Sequence, residues 1–319
     1  MEQKSFDVIV IGGGSAGLSA ALMLGRARRK VLVIDSGTPR NRFAHKMHGV
    51  LGRNGTSPAA LLSDGRQEVE KYGGVIATGE VTEAAKIDGG FDIAFRNSDD
   101  ELTRVAARRV IVATGLSDNL LDIPGLAESW GRGTAVCPYC DGYEVKDGRI
   151  GILATSPMST IQAQLLRQWS DRIIYLAHES GAPTGEDLAN IQARGIEVVE
   201  GEVRQVLSDP TGVTGVELAT GQRIELDAIF TAPAMKPRDE VLLALGAKTS
   251  DTPMGTFVEV DPTGLTSIPG LWAVGNVVNP ALNVAGAIGA GAMTGGMVNH
   301  DLVQEDITHV RALHDAEEK

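Results

Sequence analysis

The 319-residue sequence predicts an α/β chain of two Rossmann-like domains of the three-layer ββα type, the second inserted in the first. Three observations predict it. An apolar run at 8–11 meets a glycine turn and then a small-residue helix. The same strand–turn–helix plan starts again at 150. After about residue 245 short apolar strands resume, and the chain closes on a Gly/Ala-rich helix from about Ala285. The expected boundaries are 1–116 with 245–319 for the discontinuous first domain and 117–244 for the insert.

The elements follow in order. Residues 8–11 form a first strand, 12–17 the turn, 18–25 the helix and 31–34 the second strand. The basic run Arg26-Ala27-Arg28-Arg29-Lys30 falls where the helix ends, and cations there complement its dipole. A later strand at 108–113 runs into Thr114-Gly115, and 120–125 reads as a loop. The restarted pattern has a strand at 150–153, a helix at 159–169 and a strand at 172–176. Hairpin strands at 195–206 and 213–226 and a strand at 228–232 complete it. Strands at 257–260 and 271–274 belong to the resumed first domain.

Composition narrows the function. Apolar residues at 43% supply a packed core, and 39 glycines suit a chain of many tight turns. A net charge of −12 without a basic face argues against nucleic acid, because a polyanion binder needs clustered cations. No apolar run approaches the ~18 residues of a membrane span, and no signal-peptide pattern opens the chain. A cytoplasmic location is expected. Both cysteines lie in one C-x-x-C, which excludes a structural disulfide framework.

Gly12-Gly13-Gly14-Ser15-Ala16-Gly17 follows a strand, opens a helix and precedes Asp35 at the end of the next strand. Gly12 makes the tight turn, Gly14 lets backbone approach a pyrophosphate, and Gly17 lets helix pack on strand. Asp35 can accept hydrogen bonds from a ribose diol. Together they point to a bound dinucleotide. The second motif is Cys137-Pro138-Tyr139-Cys140-Asp141-Gly142. Zinc needs four ligands, and the chain holds no other cysteine and no His pair at finger spacing. A glutaredoxin carries C-P-Y-C near the start of a small domain, not midway between two βαβ units. A redox dithiol is the reading. Asp141 beside Cys140 is placed to act as acid or base for a departing thiol.

The third motif is Gly270-Leu271-Trp272-Ala273-Val274-Gly275-Asn276. With the early glycine turn, Ala113-Thr114-Gly115 and the C-x-x-C-D-G, it resembles low-molecular-weight thioredoxin reductase over essentially the whole chain. The resemblance implies FAD held by Gly12, Gly14, Ser15, Ala16, Gly17 and Asp35, with Thr114, Gly115, Gly275, Asn276 and Ala285 closing over it. It implies Cys137, Cys140 and Asp141 as the catalytic set, with Cys140 the sulfur beside the flavin. It also implies a homodimer.

The sequence departs from that pattern at the second nucleotide site. The family's second glycine turn falls on Ala154, Ser156 and Ser159, although Ser156-Pro157 still reads as helix N-cap and N1. The family's arginine run for a 2′-phosphate reads Ala177-His178-Glu179-Ser180-Gly181-Ala182-Pro183. No arginine remains, and Glu179 would repel a phosphate. These two losses argue against NADPH. Glu179 does stand where an acid for NADH would sit. The family's R-Q-A reads Asn283-Val284-Ala285, and 38–58 replaces its usual loop, carrying His45 and His48 close to where the flavin would lie, either as polar loop histidines or as groups that steer a thiolate or a flavin oxygen site. These departures resemble a divergent branch that includes gliotoxin- and holomycin-type dithiol oxidases. The gliotoxin-type enzyme has His where Asp141 stands.

The expectation is therefore an FAD-dependent thiol/disulfide oxidoreductase. It moves electrons between a substrate dithiol, Cys137–Cys140 and FAD, without NADPH and with oxygen or a protein as acceptor. Its partner is a small dithiol/disulfide or a thioredoxin-like protein. A reductase fed by NAD(P)H or an electron-carrier protein is the alternative, and a non-enzymatic flavin redox sensor the third reading.

Overall fold

A computed structural model describes residues 4–317. The chain divides into two compact units. The first takes the chain up to Arg40, then Ala59–Ser117, then everything from Met235. The second takes Asn41–Pro58 and Asp118–Ala234.

In the first unit β1 (Ser5–Ile11), α1 (Ser15–Arg26) and β2 (Val31–Asp35) lead to α2 (Pro58–Lys71), β3 (Val75–Ile87), β4 (Gly90–Asn97) and β5 (Leu102–Val112). The β1 strand lies between β2 and β5, parallel to both, with Val8 opposite Val31 and Ile9 opposite Val110. The long strands β3 and β5 continue past this layer and pair with β4 as an antiparallel meander. Alternation along β1 and β2 feeds two cores. Val8, Val10, Val31 and Val33 pack toward α1, α2 and the last helix. Ile9, Ile11, Leu32 and Ile34 pack with Phe91, Ile93 and Phe95 of the meander. That is the ββα layering that the sequence predicts.

The chain leaves through β6 (Leu116–Asn119). The second unit then carries β7 (Thr134–Ala135), α3 (Pro138–Asp141), β8 (Ile150–Leu153), α4 (Ser159–Leu166), β9 (Ile173–Leu176), α5 (Gly185–Ala193) and β10 (Glu197–Val199). Next come β11 (Val203–Asp209), β12 (Gly212–Leu218), β13 (Arg223–Glu225) and β14 (Ala228–Thr231). A five-stranded sheet of order β10-β9-β8-β14-β7 is covered by a three-stranded antiparallel sheet, β11-β12-β13. The region 195–206, expected as one hairpin strand, is split. Glu197–Val199 joins β9 in parallel, and only Val203–Asp209 forms the hairpin with β12.

The chain returns through β15 (Ala234–Pro237), which pairs with β6. The return therefore comes before the expected residue 245. Then follow α6 (Glu240–Ala244), β16 (Thr249–Thr252), β17 (Gly255–Val258), β18 (Leu271–Ala273) and α7 (Val284–Glu317). The β18 strand joins β5 in parallel, with Trp272 opposite Ile111.

The last helix lies directly on α1. A Cβ at Gly291 would overlap the Ala16 carbonyl oxygen, so only glycine permits this approach. Ser19 Oγ donates to the Ile288 carbonyl at 2.8 Å. Farther along, Arg29 reaches Asp306 at 2.8 Å and Asn299 at 2.8 Å. Arg109 reaches Asp301 at 2.5 Å and Glu305 at 2.7 Å. The basic run after α1 thus anchors α7 as well as ending its own helix. No helix among the described residues is long and apolar enough to cross a membrane.

Candidate functional site

The first glycine turn has the form a dinucleotide needs. Gly12 sits at φ +108°, and a Cβ there would overlap the Ala113 carbonyl. A Cβ on Gly17 would overlap the Gly12 carbonyl oxygen, so helix and turn can meet only through glycine. At Gly14 no atom lies within 4 Å of the place a Cβ would take, so this flank is open for a ligand to approach. Gly14 is the N-cap of α1 without a side-chain cap, and the first turn holds no acid. Its uncapped N–H groups and the positive end of the helix suit a pyrophosphate. Ser15 and Ala16 open the helix, and Ala16 is buried against the late Gly275. These residues fit FAD.

Asp35 is where the sequence places it, at the end of β2, and its carboxyl lies over Gly13. It is not free. Arg66 Nη2 from α2 binds Asp35 Oδ2 at 2.5 Å, and Gly37 N–H donates to Oδ1 at 3.2 Å. No sequence signal singles out Arg66, because its partner lies 31 residues away in a different element.

Three other residues expected at the flavin have their side-chain or backbone groups engaged within the protein. Thr114 Oγ1 donates to the Arg238 carbonyl at 2.5 Å, and Arg238 N–H donates back to the Gly115 carbonyl at 3.0 Å. This pair ties the outgoing strand to the returning one. Asn276 Nδ2 donates to the carbonyls of Asn279 and Leu282 at 3.0 Å each and reaches that of Pro280 at 3.4 Å. Its oxygen alone is left for a ribityl hydroxyl. An aspartate could not make those donations, which explains asparagine at this position. Ala285 lies exposed in the first turn of α7, where Asn283 Oδ1 accepts from Gly286 N–H at 2.9 Å.

In the second unit Cys137 and Cys140 form a disulfide with Cα atoms 5.2 Å apart. Cys137 is the N-cap of α3 and Pro138 its first residue, so the motif folds into one helical turn. Gln162 of α4 holds the entry by donating from Nε2 to the Val136 carbonyl at 2.7 Å. Tyr139 between the cysteines is exposed and meets Trp169 edge-on at 5.6 Å.

Asp141 follows Cys140. Burial, joined by the nearby charge of Glu144, pushes its carboxyl up to about 6, against a smaller opposing pull from His48. A carboxyl in that range exchanges protons near neutral pH. His48 arrives from the loop 41–58, which belongs to the cysteine-bearing unit rather than to the unit of the glycine turn. His48 Nε2 lies 3.3 Å from Glu144 Oε1. His48 stands beside the acid of the dithiol, and His45 is exposed. The loop goes there because Met47 and Val50 are buried, with Met47 bonded to Thr56 and Gly55 across its neck. Glu144, three residues past Asp141, escapes motif reasoning because only the fold brings His48 to it. Among the described residues no cluster of three His, Cys, Asp or Glu could hold a metal.

The altered second turn is internally bonded. Ser159 Oγ accepts from the Thr155 N–H at 3.1 Å, and Thr155 Oγ1 donates to the Ala232 carbonyl at 2.6 Å. Ser180 Oγ donates to the Ala154 carbonyl at 3.1 Å. The expected cap at Ser156 is not made. A tight turn carries the chain to Met158, and α4 starts at Ser159 with no side-chain cap. Ser159 faces inward to serve Thr155 and is fully buried. The helix also ends at Leu166, not 169, in a tighter turn. Glu179 lies in a short 3₁₀ turn at His178–Ser180.

The chain matches the pyridine nucleotide-disulphide oxidoreductase family model over residues 6–295. It is 29% identical to "Thioredoxin reductase tcpT" of Claviceps purpurea over 94% of this chain and 95% of that one. The crystal structure of HlmI superposes with a TM-score of 0.90 at 43% identity, covering 98% of this chain and 97% of that one. An oxidoreductase from Agrobacterium tumefaciens superposes with a TM-score of 0.87 at 37% identity, covering 94% and 99%. The chain therefore belongs to the pyridine nucleotide-disulphide oxidoreductase family, as a thioredoxin reductase-like flavoprotein with a redox-type C-x-x-C.

Proposed function

We propose that this protein is an FAD-dependent dithiol oxidase that works without NADPH. The observation that carries the reading is the closed second turn. In a phosphate-binding turn the backbone N–H groups point at the ligand. Here the Thr155 N–H is taken by Ser159 Oγ, and the segment 177–183 offers Glu179 in place of arginines.

A substrate thiolate attacks one sulfur of Cys137–Cys140. One S–S bond forms between substrate and protein, and the internal one breaks, releasing a cysteine thiolate. The second substrate thiolate then attacks the mixed disulfide. The substrate leaves as a disulfide, both cysteines are left reduced, and two protons have been given up. Asp141 takes or returns a proton at its carboxylate beside Cys140. FAD, held by the Gly12–Gly17 turn and Asp35, would supply the two-electron acceptor for the reduced cysteine pair, with oxygen or a protein as the final acceptor. The substrate class is a small dithiol or a thioredoxin-like protein. Exposed Met293, Met297, Val303, Ile307, Val310 and Leu313 along α7 support a homodimer, which sedimentation velocity would test.

The test is anaerobic absorbance of the yellow protein mixed in turn with NADPH, NADH and dithiothreitol. Bleaching by dithiothreitol alone, with recovery and peroxide formation in air, is expected. Bleaching by NADPH or NADH at about 1 s⁻¹ or faster would overturn the reading. It would favour the alternative, a reductase, which the intact β8–α4–β9 scaffold and the names of the relatives support.

A further inference from the structure

We propose that His48 is a positioning residue for the dithiol chemistry: through its contact with Glu144 it offsets that second negative charge beside Asp141 and keeps Asp141 able to hold and release a proton at Cys140. The proposal rests on the dithiol reading above, since it deepens the role of Asp141.

The geometry comes from three separate pieces of chain. The one-turn helix α3 carries Cys140 and Asp141. The turn after it carries Glu144. The loop 41–58 carries His48, whose Nε2 lies 3.3 Å from Glu144 Oε1. The loop is built to hold it. Met47, the residue before His48, is buried, and its backbone is bonded on both sides, N–H to the Thr56 carbonyl and carbonyl from the Gly55 N–H, at 2.9 Å each. Gly49, the residue after, donates to Asn54 Oδ1 at 3.1 Å. His48 is thus clamped from both neighbours while its ring reaches the acid cluster.

Glu144 and His48 act on Asp141 in opposite senses, Glu144 favouring the protonated carboxyl and the protonated form of His48 the ionised one. Lys146, the nearby cation on the same turn, is engaged with Tyr143, its Nζ lying 4.3 Å from the ring centroid and 3.2 Å from the hydroxyl. Without His48, a buried carboxyl facing an unopposed glutamate would stay protonated to higher pH, and Asp141 would be a poor base. Without Glu144, it would ionise at lower pH and be a poor acid. The two partners therefore push in opposite directions, which a merely structural loop contact does not do.

The experiment reads the carboxyl directly. Infrared difference spectra of the flavin-loaded protein are recorded from pH 4 to 9, and the band lost in Asp141→Asn identifies the protonated Asp141. In His48→Gln the midpoint of that band is expected to rise by about half a pH unit, and in Glu144→Gln to fall by a similar amount. The acid limb of dithiothreitol-driven flavin bleaching is expected to move with it. Midpoints that stay in place, or move the same way in both variants, overturn the proposal. Opposite shifts in a protein whose flavin dithiothreitol fails to bleach leave the His48 assignment standing and defeat the oxidase reading instead.

Discussion

Asp141→Asn tests whether the acid beside Cys140 is held at a cost to the fold. The carboxyl moves from an ordinary value of 3.8 to about 6, first through burial and then through Glu144. At 1.36 kcal/mol per pH unit this difference corresponds to about 3 kcal/mol lost when the folded protein must ionise the group. The sign follows from linkage. A carboxyl raised in the folded state leaves stability intact below pH 3.8 and removes it as the pH rises toward 6. Asparagine has no charge to bury. The variant is therefore expected to be more stable than the wild type above pH 6, by about 3 kcal/mol at most, and to show no such gain below pH 3.8. Partial exposure of the side chain makes about 1–2 kcal/mol the more realistic outcome. Urea unfolding of the disulfide form, followed by tryptophan fluorescence below pH 3.8 and at pH 8, measures both ends. A gain of equal size at the two pH values would refute the reasoning, because it would reflect packing and not ionisation.

Other expectations follow from single contacts. Gly17→Ala forces a Cβ onto the Gly12 carbonyl, so the purified protein should lose most of its yellow colour, read as the ratio of flavin to protein absorbance. Arg66→Ala removes the guanidinium that holds Asp35 and should raise the dissociation constant for FAD several-fold, measured by flavin fluorescence quenching. Asp306→Asn cuts the partner of both Arg29 and Arg108 on α7 and should lower Tm by about 2–4 °C, least at high salt. The combination Ala154→Gly, Ser156→Gly, Ser159→Ala and Glu179→Arg frees the Thr155 N–H and removes the acid. It should confer NADPH-driven bleaching where the parent shows none.

What can be read from the sequence is whatever is carried by neighbours in the chain. The apolar strands of the first βαβ unit, a glycine turn with its acid and a C-x-x-C are all local patterns, and each lies where the sequence puts it, whereas 195–206 and 213–226 each divide in two. Asn276 shows the limit. In the sequence it reads only as one of the residues that close over FAD. Its amide in fact donates to carbonyls at 279, 280 and 282, a reason visible only once the loop is folded. Arg66 and Glu144 are silent for the same reason, since each gains its meaning from a partner far away in sequence. The helix start at 156–157 misleads because Ser-Pro is a good cap locally, while the buried Ser159 is needed by Thr155.

The second unit is best understood through what α4 now holds. A strand–turn–helix presents a limited set of groups at the helix start, and a phosphate needs backbone N–H groups there without side chains in the way. At that end Ser159 closes the turn on itself. One helical turn along, Gln162 grips the carbonyl before Cys137, and after the helix Trp169 packs edge-on to Tyr139 between the cysteines. The helix and the turn after it therefore brace the dithiol motif from two sides. A helix in this role is served by a rigid closed turn, whereas a nucleotide turn has to stay open for its ligand. On the oxidase reading, weakening the brace should matter more than altering the turn. Gln162→Leu should slow dithiothreitol-driven bleaching, while Ser156→Ala, which keeps the backbone carbonyl that closes the turn, should leave it unchanged. The reverse order of effects would mean that the turn still serves a ligand and that the unit has kept its nucleotide site.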